Sequence, residues 1–234
     1  MKVLFSPSEG KIFPTLEGKM SEKISKIYQT YLAFTQSASD DEIGKMMGYC
    51  KLHDTNQALS AIISSPKLAR AIELYDGVAY DALSYNTLEF KEKAWIDEHT
   101  LIFSNLFGAV GADELLPFYK LKQGEGFANF STKEIYKSQE SELDRLLDDE
   151  FVLDLRAEFY KKLYMPKVHH FSMEFYKNGK KVSHFGKYYR GIVLRELAKC
   201  KGMEGIEKRL EEYGLRNNGS KNSKNCTTLT FCIS

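Results

Sequence analysis

Apolar residues recur along this chain at two different periods, and the alternation between the periods predicts mixed α and β structure. Residues 2–6 form a short apolar run stopped by Pro7 and Gly10, read as a buried strand opening into a loop. Between 20 and 34, Ile24, Ile27, Tyr28, Tyr31 and Leu32 repeat at helical spacing and give one buried stripe. Ser39-Asp40-Asp41-Glu42 has the form of a capping box and opens a second helix toward Lys51. Helices are expected over 56–64 and 66–74, with Pro66 at the first position of the latter. Residues 75–83 read as an irregular glycine-containing segment. Asn86 then caps a helix that reaches Glu98 and carries Trp95.

Strands alternate with helices in the second half. A strand at 100–104 leads into a glycine-bearing bend over 105–111. Ser131-Thr132-Lys133-Glu134 is another capping box, opening a helix to Leu147. A strand at 151–155 and a helix at 157–163 follow. The runs 168–176 and 181–185 flank Asn178-Gly179, which tolerates the positive φ of a type I′ turn and so marks a hairpin. Helices are expected over 187–200 and 203–213. The polar stretch 215–226 reads as a mobile connector before a final β segment at 227–233. With no internal repeat and no domain boundary, residues 1–234 are expected to form one compact α/β domain. Its sheet would be mixed, surrounded by helices, since the Asn-Gly hairpin adds antiparallel pairing.

Composition narrows the possibilities. A chain of 234 residues, 43% hydrophobic and 28% charged, is long enough to bury a substantial core. Its apolar runs fall short of a membrane span, and Ser6-Pro7 arrives too early for a signal-peptide core, so a cytoplasmic protein without membrane contact is expected. The net charge of +1 means that any polyanion site must be a local patch. Cys50, Cys200, Cys226 and Cys232 lack Cys-x-x-Cys spacing and read as reduced thiols, with Cys226 and Cys232 a candidate redox pair. His169 and His170 would point to opposite faces of a strand, His169 and His184 to the same face, while His53 and His99 sit by helix ends. No metal or cofactor is expected.

Four segments could carry chemistry. Ser6-Pro7-Ser8-Glu9-Gly10-Lys11 leaves a strand end, where α/β folds place binding groups, and Lys11 is its anion-binding candidate against the reading of a solvated turn. In 75–83, Tyr80 and Asp81 are candidates for stacking or proton transfer, against helix capping by the aspartates. The bend from Ser104 through Gly108 to Gly111, with Lys120 beyond it, would offer backbone N–H groups to a DNA phosphate. In 184–191, Lys187 and Arg190 lie three apart among tyrosines near a helix start, suited to a phosphate and a stacked base. Asp154 and Arg156, on one face of a strand end, would pair with each other or line a cleft.

Taken in order, these segments resemble the bacterial YaaA-like family. The resemblance rests on Leu4-Phe5-Ser6-Pro7-Ser8-Glu9-Gly10-Lys11, Gly77-Val78-x-Tyr80-x-x-Leu83, Ser104-x-Leu106-Phe107-Gly108, Tyr119-x-Leu121, Val152-x-Asp154-Leu155-Arg156-x-Glu158-Phe159-Tyr160 and Lys187-x-x-Arg190-Gly191. It implies a compact single-domain fold, a role in peroxide stress, a positively charged cleft and a helix-hairpin-helix-like element. It further implies binding to duplex, preferably distorted, DNA and the limiting of iron-dependent oxidative damage. On the matching positions Ser6, Lys11, Tyr80, Lys187 and Arg190 would line the cleft, and Ser104 to Gly111 would contact DNA. Val110-Gly111-Ala112 stands where many relatives have Leu-Arg-Pro, and Lys120 replaces an arginine. A different class stays open: an enzyme acting on a nucleobase or nucleotide, with Lys11, Tyr80, Asp81 and Asp154 as its acid, base and electrostatic groups.

Overall fold

The computed structural model describes residues 1–49, 56, 58–60, 62, 67–182 and 184–234. Residues 57, 61, 63 and 64 of the helix expected over 56–64, and Cys50, His53 and Pro66, lie outside the described residues, while 56, 58–60 and 62 are helical. The chain gathers into two compact units, each assembled from separated segments. Met1–Ser6, Gly77–Leu101 and Glu140–Ser234 make the first, and Pro7–Asp76 and Ile102–Gln139 the second.

Four parallel strands organise the first unit. Val152–Asp154 lies between Lys2–Phe5 and His170–Lys177, and Cys226–Ile233 pairs with the far side of His170–Lys177. Lys180–Lys181 and Leu215–Ser223 add antiparallel partners, so the sheet is mixed, as the α/β expectation requires. Val3, Leu4, Phe5, Val152 and Leu153 are at most 1% exposed, which is why the inner strands read as unbroken apolar runs. Asn178 and Gly179 both adopt positive φ, the turn that their dipeptide predicts. The returning arm is only Lys180–Lys181, both exposed, and with no apolar face to extend the pairing the chain enters the helix His184–Cys200 three residues early. His184 therefore shares no sheet with His169.

The expected connector is a strand. Leu215–Ser223 pairs along Cys226–Ile233, with a register shift between Asn217 and Ser220. Only Leu215 of its residues is buried, so the water-facing edge carries no apolar alternation to read. Cys226 and Cys232 sit on one strand, six residues and about 20 Å apart, whereas a disulfide needs Cα atoms within about 7 Å. They cannot join to each other.

Residues read as irregular contain the helix Val78–Leu83, too short to display a period. It packs against His184–Cys200 at Gly191, where a Cβ would fall 2.0 Å from the Ala79 carbonyl oxygen and 3.0 Å from the Ala82 Cβ. Arg195 Nη1 donates to the Leu83 and Ser84 carbonyls at 2.8 and 3.1 Å, satisfying groups that a helix end leaves open. The helix cap expected at Asn86 falls to Glu89 instead, opening Phe90–His99 with Glu92 as its reciprocal partner.

The second unit holds the helices Glu22–Ser37 and Asp40–Met47. Ile24, Tyr28 and Tyr31 form the predicted stripe, and Ser39 and Glu42 close the predicted capping box. The latter helix ends at Gly48, in the left-handed region, short of Lys51. Three short antiparallel pairs accompany them: Gly10–Lys11 with Tyr75–Asp76, Leu68–Arg70 with Leu115–Pro117, and Gly126–Phe127 with Phe130–Ser131. Leu68–Arg70 therefore replaces part of the helix expected over 66–74, leaving only Ala71–Leu74 helical. Pairing with a distant strand overrides local propensity there.

Gly191→Ala is expected to lower stability by about 1–3 kcal/mol, because the backbone it would strike cannot rotate away. Gly186→Ala, whose nearest contact is Phe175 Cδ2 at 3.8 Å, should be tolerated. Urea midpoints of the two variants check the contrast.

Candidate functional site

In the first unit, Lys2–Phe5 and Val152–Asp154 end side by side, at the edge where parallel α/β sheets place ligands. Ser6 Oγ accepts a hydrogen bond from the Ala157 N–H at 2.8 Å, tying the two exits together. Asp154 and Arg156, 1% and 0% exposed, do pair: Arg156 Nε donates to Oδ1 at 2.9 Å and Nη2 to Oδ2 at 2.7 Å. The Arg156 N–H also reaches Oδ1, and Nη1 donates to the Tyr160 carbonyl at 3.2 Å. Burial pushes the Asp154 carboxyl up, but the charge and hydrogen bonds of Arg156 outweigh it and hold the group below its ordinary value. Asp154 is thus a fixed, ionised carboxylate whose two oxygens are engaged, not a group poised to exchange protons.

Tyr80 donates its hydroxyl proton to the Ser6 carbonyl at 2.9 Å and meets Phe5 edge-on, 5.5 Å between ring centres. It pins the strand exit. Asp81 is exposed in the same short helix. Arg190 is half-buried. Burial lowers its pKa and the charges of Asp154 and Glu158 raise it, yet it makes no hydrogen bond or ion pair with any described residue. Lys187, a turn earlier, is exposed. Phe185, Tyr188 and Tyr189 line an apolar hollow of about 290 Å³ with Val78. At about 100° per residue, these three rings centre roughly opposite Lys187 and Arg190, so aromatics and cations interleaved in sequence part company in space.

Lys11, Ser104, Gly108 and Lys120 belong to the second unit. The Gly10–Lys11 pairing requires glycine, since a Cβ there would stand 2.7 Å from the Asp76 carbonyl oxygen. Lys11 Nζ lies 4.2 Å from the Tyr119 ring centre and 5.2 Å from that of Tyr75, and donates to the Ser8 carbonyl at 3.2 Å. Burial, then the charge of Lys120, lowers its pKa to about 7, against a smaller opposing pull from Glu9. Lys120 Nζ donates to the Glu9 carbonyl at 2.9 Å, and burial lowers its pKa as well. The two phenols continue into a buried chain of hydroxyls. Tyr75 and Tyr119 oxygens are 2.9 Å apart, and Tyr119 and Ser104 oxygens 2.8 Å. Burial raises the Tyr119 phenol to about 12, so it stays neutral.

The bend from Ser104 to Gly111, expected to contact DNA, lies mostly in the interior. Ser104, Leu106 and Phe107 are fully buried. Ser104 Oγ accepts from the Leu106 and Phe107 N–H groups, and Gln139 Oε1 from that of Ala109 at 2.8 Å. Gln139 Nε2 closes the contact on the Phe107 carbonyl, and its side chain fills the space a Cβ on Gly108 would need. The N–H groups of Leu106, Phe107 and Ala109 are thus already engaged, and the bend joins two strands rather than two helices. Gln139, a polar residue midway along a long helix, gave no local signal of this role. Among the described residues no group of three His, Cys, Asp or Glu side chains is placed to hold a metal ion, and no helix is long and apolar enough to cross a membrane.

A family model described as peroxide stress protein YaaA matches residues 1–216. The chain belongs to that family. An uncharacterized protein of Campylobacter jejuni is 41% identical over 211 residues, covering 85% of each chain. UPF0246 proteins of Corynebacterium glutamicum and of Azoarcus sp. are 36% and 29% identical, over 75% and 74% of this chain and 73% and 71% of theirs. The YaaA match takes in every candidate catalytic and phosphate-binding residue named above and runs past the motifs to the start of the Leu215–Ser223 strand.

Folded, Lys11 gives up its proton near pH 7. Unfolded, it does so near 10.5. Between these values only the unfolded chain holds the proton, so this group's contribution to stability rises with pH across the window, and below about 7 its burial cost is fully present. Lys11→Met should therefore raise the urea midpoint at pH 6, with the gain shrinking toward pH 10.

Proposed function

We propose that this YaaA-family chain serves in peroxide stress as a DNA-binding protein whose cations neutralise backbone phosphates, helping to limit iron-dependent oxidative damage. Arg190 carries the reading. A guanidinium presents five N–H donors in a fixed fork, and here none is taken by a described residue although the residue is half-buried. The nearby Asp154 charge is already matched by Arg156. A planar, bidentate oxyanion such as a phosphate diester suits the vacancy in its hydrogen bonding, and exposed Lys187 adds a second cation a turn away. Contact of this kind reads backbone, not bases. With a net charge of only +1, it would depend on these local groups rather than on a broad basic field.

The family name supports the stress role. Fluorescence anisotropy with duplex DNA over a salt series tests the binding. Lys187→Ala combined with Arg190→Ala should cut affinity about tenfold or more, whatever the sequence, and reduce the salt slope by about 2, near 0.9 per phosphate lost. An unchanged slope would discard it.

A second reading, an enzyme acting on a nucleobase or nucleotide, is favoured by Lys11. An amine half-deprotonated near neutral pH is a reagent rather than a point charge. If this reading holds, Lys11→Ala should abolish turnover of a small nucleotide or damaged DNA while sparing the fold, as mass spectrometry of products and circular dichroism would show.

A further inference from the structure

Lys11 and Lys120 reach for one oxygen. Their Nζ atoms lie 3.5 and 2.9 Å from the Glu9 carbonyl oxygen, so the two nitrogens are no more than 6.4 Å apart. Neither forms an ion pair with a carboxylate among the described residues, and the Glu9 side chain accepts from the Gln123 N–H instead. Two ammonium groups at such range repel unless an anion joins them or one proton leaves. Among the described residues the remaining titratable groups placed against Lys11 are Tyr75 and Tyr119, the latter a neutral phenol. Their rings shield Nζ on two sides, while Lys11 and Lys120 each keep part of their surface open to solvent. A lysine desolvated beside a second cation is how an amine nucleophile is prepared.

We propose that Lys11 is the nucleophile of a carbonyl-binding site that takes an aldehyde or ketone bearing a phosphate, with Lys120 as the cation for that phosphate. This deepens the enzymatic reading above and rests on it. The lone pair of neutral Nζ forms a bond to the carbonyl carbon as the C=O π pair moves to oxygen. The carbinolamine then loses that oxygen as water, both hydrogens coming from the amine, and leaves an imine. No oxidant or reductant enters. The same chemistry is offered by a free phosphosugar and by the ring-opened sugar of an abasic site in DNA.

Reductive trapping tests the proposal on the intact chain. The protein is incubated with cyanoborohydride and, separately, glyceraldehyde 3-phosphate, unphosphorylated glyceraldehyde, or a DNA duplex containing one abasic site, and the adducts are mapped by peptide mass spectrometry. The expected result is one dominant adduct, on Lys11, with a yield that rises half-maximally near pH 7. Lys11→Arg, which keeps the charge without the nucleophile, should lose it. Lys120→Ala should reduce trapping of the phosphorylated aldehyde about tenfold more than that of the unphosphorylated one, whose yield shifts only because Lys11, relieved of its neighbour's charge, keeps its proton to higher pH. Preference for the duplex over the phosphosugar assigns the abasic source, and the reverse assigns the free sugar. Label spread over exposed lysines in the wild-type protein overturns the proposal without relying on any variant's folding, as does an undiminished yield in Lys11→Arg. A Lys11 adduct without turnover would defeat the enzymatic reading and leave the imine site standing. Loss of anisotropy signal would bear only on DNA binding.

Discussion

Where the Val152–Asp154 strand ends, a carboxylate and a guanidinium meet with no access to water, and the architecture of the first unit depends on that meeting. Removing two such ions from water costs several kcal/mol each, and only near-ideal geometry offsets it. Asp154 and Arg156 have that geometry: two parallel hydrogen bonds, a third from the backbone, and a fourth from the guanidinium to Tyr160. The pair therefore sets the path of the chain into Glu158–Leu163. That path places the Ala157 N–H on Ser6, and Ser6 in turn receives Tyr80. Because Arg156 satisfies Asp154, the carboxylate has no need of Arg190, which stays without a described hydrogen-bonding partner beside it.

The second unit treats its cations differently. Lys11 and Lys120 are partly withdrawn from water and brought near each other, and among the described residues carbonyl oxygens and phenol faces rather than an ion-paired carboxylate meet them. What an ion pair does for Arg156, loss of a proton does for Lys11. Arginine cannot follow that route, since its guanidinium stays charged throughout the accessible pH range. The choice of lysine at 11 and arginine at 156 and 190 thus has chemical content. One site can become neutral, and the others must find an anion.

Much of this fold is legible in the chain. The inner strands, the Asn178-Gly179 turn, the Ser39–Glu42 capping box and the stripe on Glu22–Ser37 all follow from local pattern, because there local preference and tertiary demand agree. Illegible elements have their cause at a distance. Leu68–Arg70 is a strand because of Leu115–Pro117, and Val78–Leu83 is defined by what Gly191 lets it approach. For the candidate site, residue types and their addresses were readable, and their environments were not. Ser104 and Gly108 carry the residues of an exposed loop and lie in the interior, sealed by a glutamine 31 positions further on. The charge state of Lys11 depends on Lys120 and Tyr119, more than 100 residues away. Pairing of Asp154 with Arg156 was the exception, because two residues on one strand face need no long-range information.

Leu215–Ser223 leaves one row of backbone donors and acceptors open along its outer side, which would ordinarily invite another chain to add itself and begin a fibril or an exchanged dimer. Lys221, the asparagines and the misregistered Gly219 region make that addition poor, since each incoming residue would have to desolvate a polar side chain and follow a kinked template. The uncapped edge is thus a poor template for strand addition, and the composition that hid this strand from sequence reading is the same property that protects it.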